Sequence, residues 1–181
     1  MFSGKPIGSG GFGDIYLCGK GETCEEDSDY VVKLEPHDNG PLFTEMHVMY
    51  RLGLEVHRTD WTPKYGDVGT VGVPLFHASG SLTYEEVKLR FLVIDRLGSD
   101  LDKFFKGGEN PWPFQTVLRV GLMVLDNLEY VHSKGYAHND IKVGEVSGRK
   151  SLIFCFAQCS ITLTNLGQLS KPGTVLKSDC P

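Results

Sequence analysis

The chain has 181 residues, 40% of them hydrophobic and 10% aromatic, enough to build the core of one ordinary or two-lobed domain and inconsistent with general disorder. Its formal charge of -5, from 18 basic and 23 acidic residues, is mild and gives no electrostatic case for direct nucleic-acid binding. The longest uninterrupted apolar run, Leu152 to Ala157, falls far short of the roughly 20 residues that span a bilayer.

The first residues, Met1 to Pro6, lack the apolar core of a signal peptide. The five cysteines, Cys18, Cys24, Cys155, Cys159 and Cys180, have no metal-ligand spacing, and their odd number fits a reducing compartment. A soluble intracellular protein is expected.

In chain order, residues 5–34 read as strands joined by glycine-rich turns. Asp14 to Cys18 alternates in strand fashion, and Tyr30-Val31-Val32-Lys33-Leu34 is a β-branched run after an acidic connection, Glu22 to Asp29. Residues 41–52 read as a helix, with Pro41 in the first turn and Leu42, Met46 and Met49 at helical spacing. Residues 53–70 are irregular. Strands are expected from Gly72 to His77 and from Leu89 to Asp95, separated by a polar hairpin, with a short helix over 99–106 capped by Ser99 or Asp100. The longest helix is expected over 113–133. It gathers Phe114, Val117, Leu118, Leu125, Leu128 and Val131 on one face, flanked by Val120, Met123 and Val124, a width that other helices normally cover. After Lys142 the composition shifts to Ser, Thr, Gly and Cys, with few acidic residues.

Gly8-Ser9-Gly10-Gly11-Phe12-Gly13 spells G-x-G-x-x-G. Glycines let a hairpin approach phosphates closely enough for backbone N–H groups to bind oxygen. Alone the motif is weak, because plain hairpin turns and dinucleotide folds share it. A dinucleotide fold needs a helix after the glycines, whereas Asp14 to Cys18 reads as strand. Lys33 follows Gly13 by 20 residues, and Glu45 lies in the next helix. Either could be an ordinary surface charge, but together they form one device: a glutamate that steers a lysine toward the α- and β-phosphates of a nucleotide. Further on, the strand end Phe91 to Ile94, running into Asp95-Arg96-Leu97-Gly98-Ser99-Asp100, could offer backbone groups to adenine, with Ile94 behind the pocket and Asp100 near the ribose. A simple strand-to-helix turn fits the same residues almost as well.

Tyr136-Ala137-His138-Asn139-Asp140-Ile141-Lys142 follows the long helix and matches the H-R-D-[LI]-K loop of protein kinases, with Asn139 in place of arginine. Asp140 would orient a substrate hydroxyl and accept its proton, and Lys142 would stand near the transferring phosphate.

Residues 5–142 resemble the vaccinia-related kinase family, near the casein-kinase-1 group. The resemblance rests on Pro6 to Leu17, Val31 to Glu35, Asn39-Gly40-Pro41-Leu42-Phe43-Thr44-Glu45, Arg96 to Leu101 and Leu125 to His132. It implies an α+β, protein-kinase-like fold: an antiparallel β-sheet lobe with one main helix, then an incomplete helical lobe. The corresponding division is 1–97 for the first lobe and hinge, 98–142 for the start of the second lobe through the catalytic loop, and 143–181 for a divergent, poorly ordered tail. By the same resemblance Ile7, Gly8, Ser9, Gly10, Gly11, Phe12, Gly13, Ile15, Lys33, Glu45, Ile94, Asp95, Leu97 and Asp100 would bind ATP, and Asp140 and Lys142 would be catalytic. The family's activity is ATP-dependent, magnesium-assisted phosphoryl transfer to Ser/Thr of proteins, often basic or chromatin-linked. A monomer, nuclear or cytoplasmic and without nucleic-acid or membrane partners, is expected. The family also lacks the arginine before the catalytic aspartate, which argues against control by a phosphorylated activation loop.

The kinase pattern breaks after Lys142. The magnesium-binding asparagine expected five residues after Asp140 is Glu145, and no Asp-Phe-Gly or Asp-Tyr-Gly follows. Asn165-Leu166-Gly167 is a weak mimic, since asparagine supplies no charge. No metal ligands are therefore assigned. The alternatives are a non-catalytic ATP- or partner-binding fragment, and a splice or gene-assignment product in which an intron is read through from Val143.

Overall fold

The fold is described by a computed structural model covering residues 2–10, 13–19, 26–62, 64, 71–100, 112–139, 141, 146–149, 151–154 and 162–163. Five strands form one antiparallel sheet: β1 (Phe2–Gly10), β2 (Gly13–Cys18), β3 (Tyr30–Pro36), β4 (Phe76–Tyr84) and β5 (Val87–Asp95), in the order β1-β2-β3-β5-β4. The helix α1 (Pro41–Leu52) crosses between β3 and β4, followed by a short 3-10 turn, Glu55–His57. Then come β6 (Ser99–Asp100), the helix α2 (Phe114–Ser133) and β7 (Tyr136–Ala137), and finally β8 (Val146–Arg149), β9 (Ser151–Phe154) and β10 (Thr162–Leu163). β7 pairs with β10, β8 pairs with both β6 and β9, and β9 runs beside α2.

Several strands follow from local sequence. The run at β3 is buried on both faces because the strand lies at the centre of the sheet, between β2 and β5. In α1 the spacing of Leu42, Met46 and Met49 faces the core, with Leu42 and Met49 fully buried and Met46 partly so.

Three expectations are corrected. The strand anticipated at Gly72–His77 starts at Phe76 and runs to Tyr84, and the hairpin narrows to Glu85-Glu86, both at positive φ (45° and 67°). β4 is an edge strand with mostly exposed side chains, so its backbone pairing with β5 needs no apolar alternation to announce it. Ser99 and Asp100, expected to cap a helix, instead form a strand pair with β8, and residues 101–106 lie outside the described residues.

The third correction concerns which face of α2 is buried. Of the six apolar residues expected there, Val131 is buried, while Phe114, Val117, Leu118 and Leu125 are exposed by 74%, 42%, 50% and 58%. The buried face instead carries Met123, Asp126, Asn127, Tyr130 and Val131. Its polar members satisfy the backbone that links α1 to β4. Asp126 Oδ1 accepts the Lys64 N–H at 3.0 Å, Asn127 Oδ1 accepts the Gly72 N–H at 2.9 Å, and the Tyr130 hydroxyl donates to the Leu52 carbonyl at 2.8 Å. Burial pushes the Tyr130 phenol up to about 12, against the pull of Arg58, so it remains a donor. A buried backbone amide without a partner costs about 1–3 kcal/mol, which is why polar side chains displace leucines from this face. The main core joins α1, residues 71–73, β5, the end of α2 and β7 around Leu42, Met49, Leu52, Val73, Leu92 and Tyr130.

Candidate functional site

The glycine motif lies on an antiparallel hairpin: Gly8 pairs with Ile15, Ser9 with Asp14, and Gly10 with Gly13. The turn residues Gly11 and Phe12 are outside the described residues. Strand follows the glycines, as the sequence reading required. Gly13, at φ 121°, sits where a Cβ would come within 2.1 Å of the Leu34 carbonyl oxygen, so only glycine lets β2 lie this close to β3.

Lys33 stands opposite Ile15 on one side and Leu92 on the other. Its side chain is 7% exposed, and its Nζ meets Glu45 Oε2 at 2.5 Å, the Glu45 side chain being 12% exposed. Strand and helix thus bring together the two residues singled out from the sequence. Burial pushes the Glu45 carboxyl above its ordinary 4.5. The charge and hydrogen bond of Lys33 pull it back, and Glu35 adds to the upward push. The ion-pair contact favours the ionised form and burial the neutral one; burial is the larger influence, so the direction is up.

This has opposite consequences for stability and for competence. Between pH 4.5 and the raised value the folded chain holds a proton that the unfolded chain has released. Stability from this group is therefore complete below pH 4.5 and is lost as pH rises through the folded value. Pairing with Lys33 needs the ionised carboxylate and improves over the same interval. Thermal melts from pH 4 to 8 should show the wild type losing stability relative to Glu45→Gln as pH rises, and identical slopes would remove Glu45 as the cause.

At the end of β5, Ile94 is half-buried, packed on the core and paired with Val31 and Phe76. Asp95 turns its carboxylate toward β4: Oδ2 accepts the Leu75 N–H at 2.9 Å and Oδ1 meets His77 Nε2 at 2.7 Å, with Tyr30 edge-on to the His77 ring. The Arg96 N–H donates to the Asp29 carbonyl at 2.7 Å, and its guanidinium donates to the Glu26 carbonyl. The segment leading to Leu97 is therefore held by the side chains of Asp95 and Arg96. The sequence reading missed His77, and nothing in its surroundings marks it. It also missed Glu35, which lies two residues after Lys33 on the same strand face.

Ile7 is half exposed and Ile15 half-buried. Asp100 is described only as part of β6, and Asp140 and Lys142 lie outside the described residues. Around them, His138 is buried, Ile141 is exposed, and Asn139 adopts φ 56°, a left-handed conformation that asparagine tolerates better than most residues.

A nucleotide fits the donors present: one buried ammonium, held by a carboxylate, on the sheet that carries a glycine hairpin. Magnesium does not. Glu145 replaces the expected asparagine, no Asp-Phe-Gly follows, and among the described residues no group of three or more His, Cys, Asp or Glu could hold a metal ion.

The solved structure of vaccinia related kinase 3 superposes on this chain with a TM-score of 0.60 at 23% identity, covering 79% of this chain and 43% of that one. The fold is that of the protein kinases. No family model matches the chain. Curated relatives do: "Nucleosomal histone kinase 1" of Drosophila melanogaster is 41% identical over 143 residues, "Serine/threonine-protein kinase VRK2" of Homo sapiens 40%, and the "B1 kinase" of Vaccinia virus (strain Western Reserve) 36%, each over 79% of this chain. The chain spans 23%, 28% and 45% of their respective lengths. Over most of its length the chain is similar to vaccinia-related kinases, and it spans less than half of each of these relatives.

Proposed function

We propose that this chain binds ATP beneath the glycine hairpin, with Lys33 and Glu45 as the phosphate-holding pair, and that Asp140 and Lys142 serve phosphoryl transfer to serine or threonine of a protein substrate. The 2.5 Å contact between Lys33 and Glu45 carries the reading, because a strand lysine held by a helix glutamate is the arrangement with which protein kinases grip nucleotide phosphates. Gly8, Ser9, Gly10, Gly11, Phe12 and Gly13 would supply backbone donors, Ile7, Ile15 and Ile94 an apolar surround, and Asp95, Leu97 and Asp100 the contacts to base and ribose. The nucleosomal histone kinase among the relatives supports a basic, chromatin-associated substrate, met in the nucleus or the cytoplasm. No helix among the described residues is long and apolar enough to cross a membrane.

A second reading, binding without efficient transfer, is favoured by Glu145 and the absent Asp-Phe-Gly. Without ligands to neutralise the phosphates, transfer should run about 10²–10³ slower than the family chemistry allows. Labelled ATP should bind the full chain saturably. Transfer to histone or casein should be slow, abolished in Asp140→Ala and raised in Glu145→Asn. Failure to bind ATP would sink both readings, and transfer that survives Asp140→Ala would remove Asp140 from the reaction.

A further inference from the structure

Alternation along β3 puts Lys33 and Glu35 on one face of the strand, toward α1. Lys33 meets Glu45. Glu35, fully buried, accepts the backbone N–H of Leu42 on its Oε2 at 2.9 Å. Leu42 and Glu45 are three residues apart and share a helix face. Strand and helix are therefore tied by two rungs one turn apart, one of them an ion pair and the other a carboxylate on a helix-terminal amide.

The second rung is an unusual way to finish a helix. α1 begins at Pro41, which has no N–H, after Gly40, which has no side chain, and no side chain of its own flank caps it. A local Ser, Asp or Asn would satisfy such an end without burying a charge. There is room for one, since a Cβ at Gly40 would meet nothing within 4 Å. Instead the acceptor comes from the neighbouring strand, and Glu35 Oε1 is buried with no hydrogen-bond partner among the described residues. A strand-borne cap does what a local cap does not: it couples the helix's rotation and its distance to the sheet.

We propose that Glu35 is a positioning residue that holds α1 in register on β3, so that Glu45 meets Lys33 without an external signal to move the helix. This rests on the reading of Lys33 and Glu45 as the nucleotide-holding pair. It accords with Asn139, where the usual arginine would await a phosphorylated loop.

The test uses the full chain as wild type, Glu35→Gln, Glu35→Ala, Gly40→Asp and Glu35→Ala/Gly40→Asp. Three quantities are read: urea stability, ATP affinity, and the pH profile of Lys33 acylation by acetic anhydride, quantified by mass spectrometry without nucleotide. Glu35→Ala should expose Lys33 to faster acylation and weaken ATP about tenfold, the factor for a helix in the paired position about a tenth of the time. Glu35→Gln keeps an acceptor oxygen and should stay near wild type. Gly40→Asp restores a negative group at the helix start, so the double variant should regain stability while Lys33 stays reactive and ATP weak. If Gly40→Asp rescues all three quantities, Glu35 is only a cap and the proposal falls. It also falls if Lys33 stays protected in the double variant, which answers the case in which Glu35→Ala alone does not fold. A wild type that binds no ATP, yet shields Lys33 in a Glu35-dependent way, sinks the nucleotide reading and supports the positioning role.

Discussion

Replacing Lys33 with methionine is expected to abolish stabilisation by nucleotide and to destabilise the chain itself, two effects that a second substitution separates. Nucleotide at 100 times its Kd stabilises a folded protein by about 2.7 kcal/mol, so the wild-type melting temperature should rise by several degrees with ATP and the variant's should not. Removing the ammonium also leaves Glu45 buried without its partner, next to Glu35. Losing one member of a buried pair costs about 3–5 kcal/mol, and the raised pKa of Glu45 keeps the cost toward the lower end, because the carboxyl takes up a proton instead. In Lys33→Met/Glu45→Leu no charge of the pair is stranded. Stability should return to within about 1–2 kcal/mol of wild type while the response to ATP stays lost. A Lys33→Met chain that keeps the full ATP shift would show that the lysine does not touch nucleotide.

Gly72→Ala is expected to be strongly destabilising, because the methyl group has no room beside α2. The new Cβ would lie 1.9 Å from Asn127 Nδ2 and 2.2 Å from its Cγ, in a site where Asn127 already accepts the Gly72 N–H. Close-packed interiors do not absorb such overlap, so the amide must leave, and its own hydrogen bond goes with it. Overpacking and the stranded backbone donor together should cost on the order of 3 kcal/mol in urea denaturation. Asn127→Ala removes the obstructing atoms. The double variant should therefore be more stable than the two single costs predict, by about 1–2 kcal/mol. Strictly additive costs would mean that the loop carrying Gly72 moves away from α2 freely.

The same contacts explain why the long helix was read correctly in extent and wrongly in orientation. Its boundaries follow from propensity and apolar spacing, which are local. Its buried face was decided by Asp126, Asn127 and Tyr130, whose partners Lys64, Gly72 and Leu52 lie 62, 55 and 78 residues away. No periodicity records a hydrogen bond of that span. Phe114, Leu118 and Leu125 remain exposed, and among the described residues nothing covers them.

The site divides in the same way. Lys33 and Glu45 were legible because each sits on a strongly patterned element and because their order after the glycines is itself informative. Glu35 and His77 were not, since a glutamate before a proline and a histidine in an edge strand look like ordinary surface residues until their partners are known. Asp95 was named for the pocket, and its carboxylate turns to Leu75 and His77.

What the amino-acid sequence determined alone is the likeness to protein kinases, the glycine hairpin, and the strand and helix that bear the lysine and the glutamate, all properties of short segments. The tertiary structure decided which side chains those segments spend on holding each other: the inward polar face of α2, the strand-borne cap on α1 and the Asp95–His77 contact. Each of these satisfies a buried polar group, and where such a group finds its partner depends on how the whole chain packs.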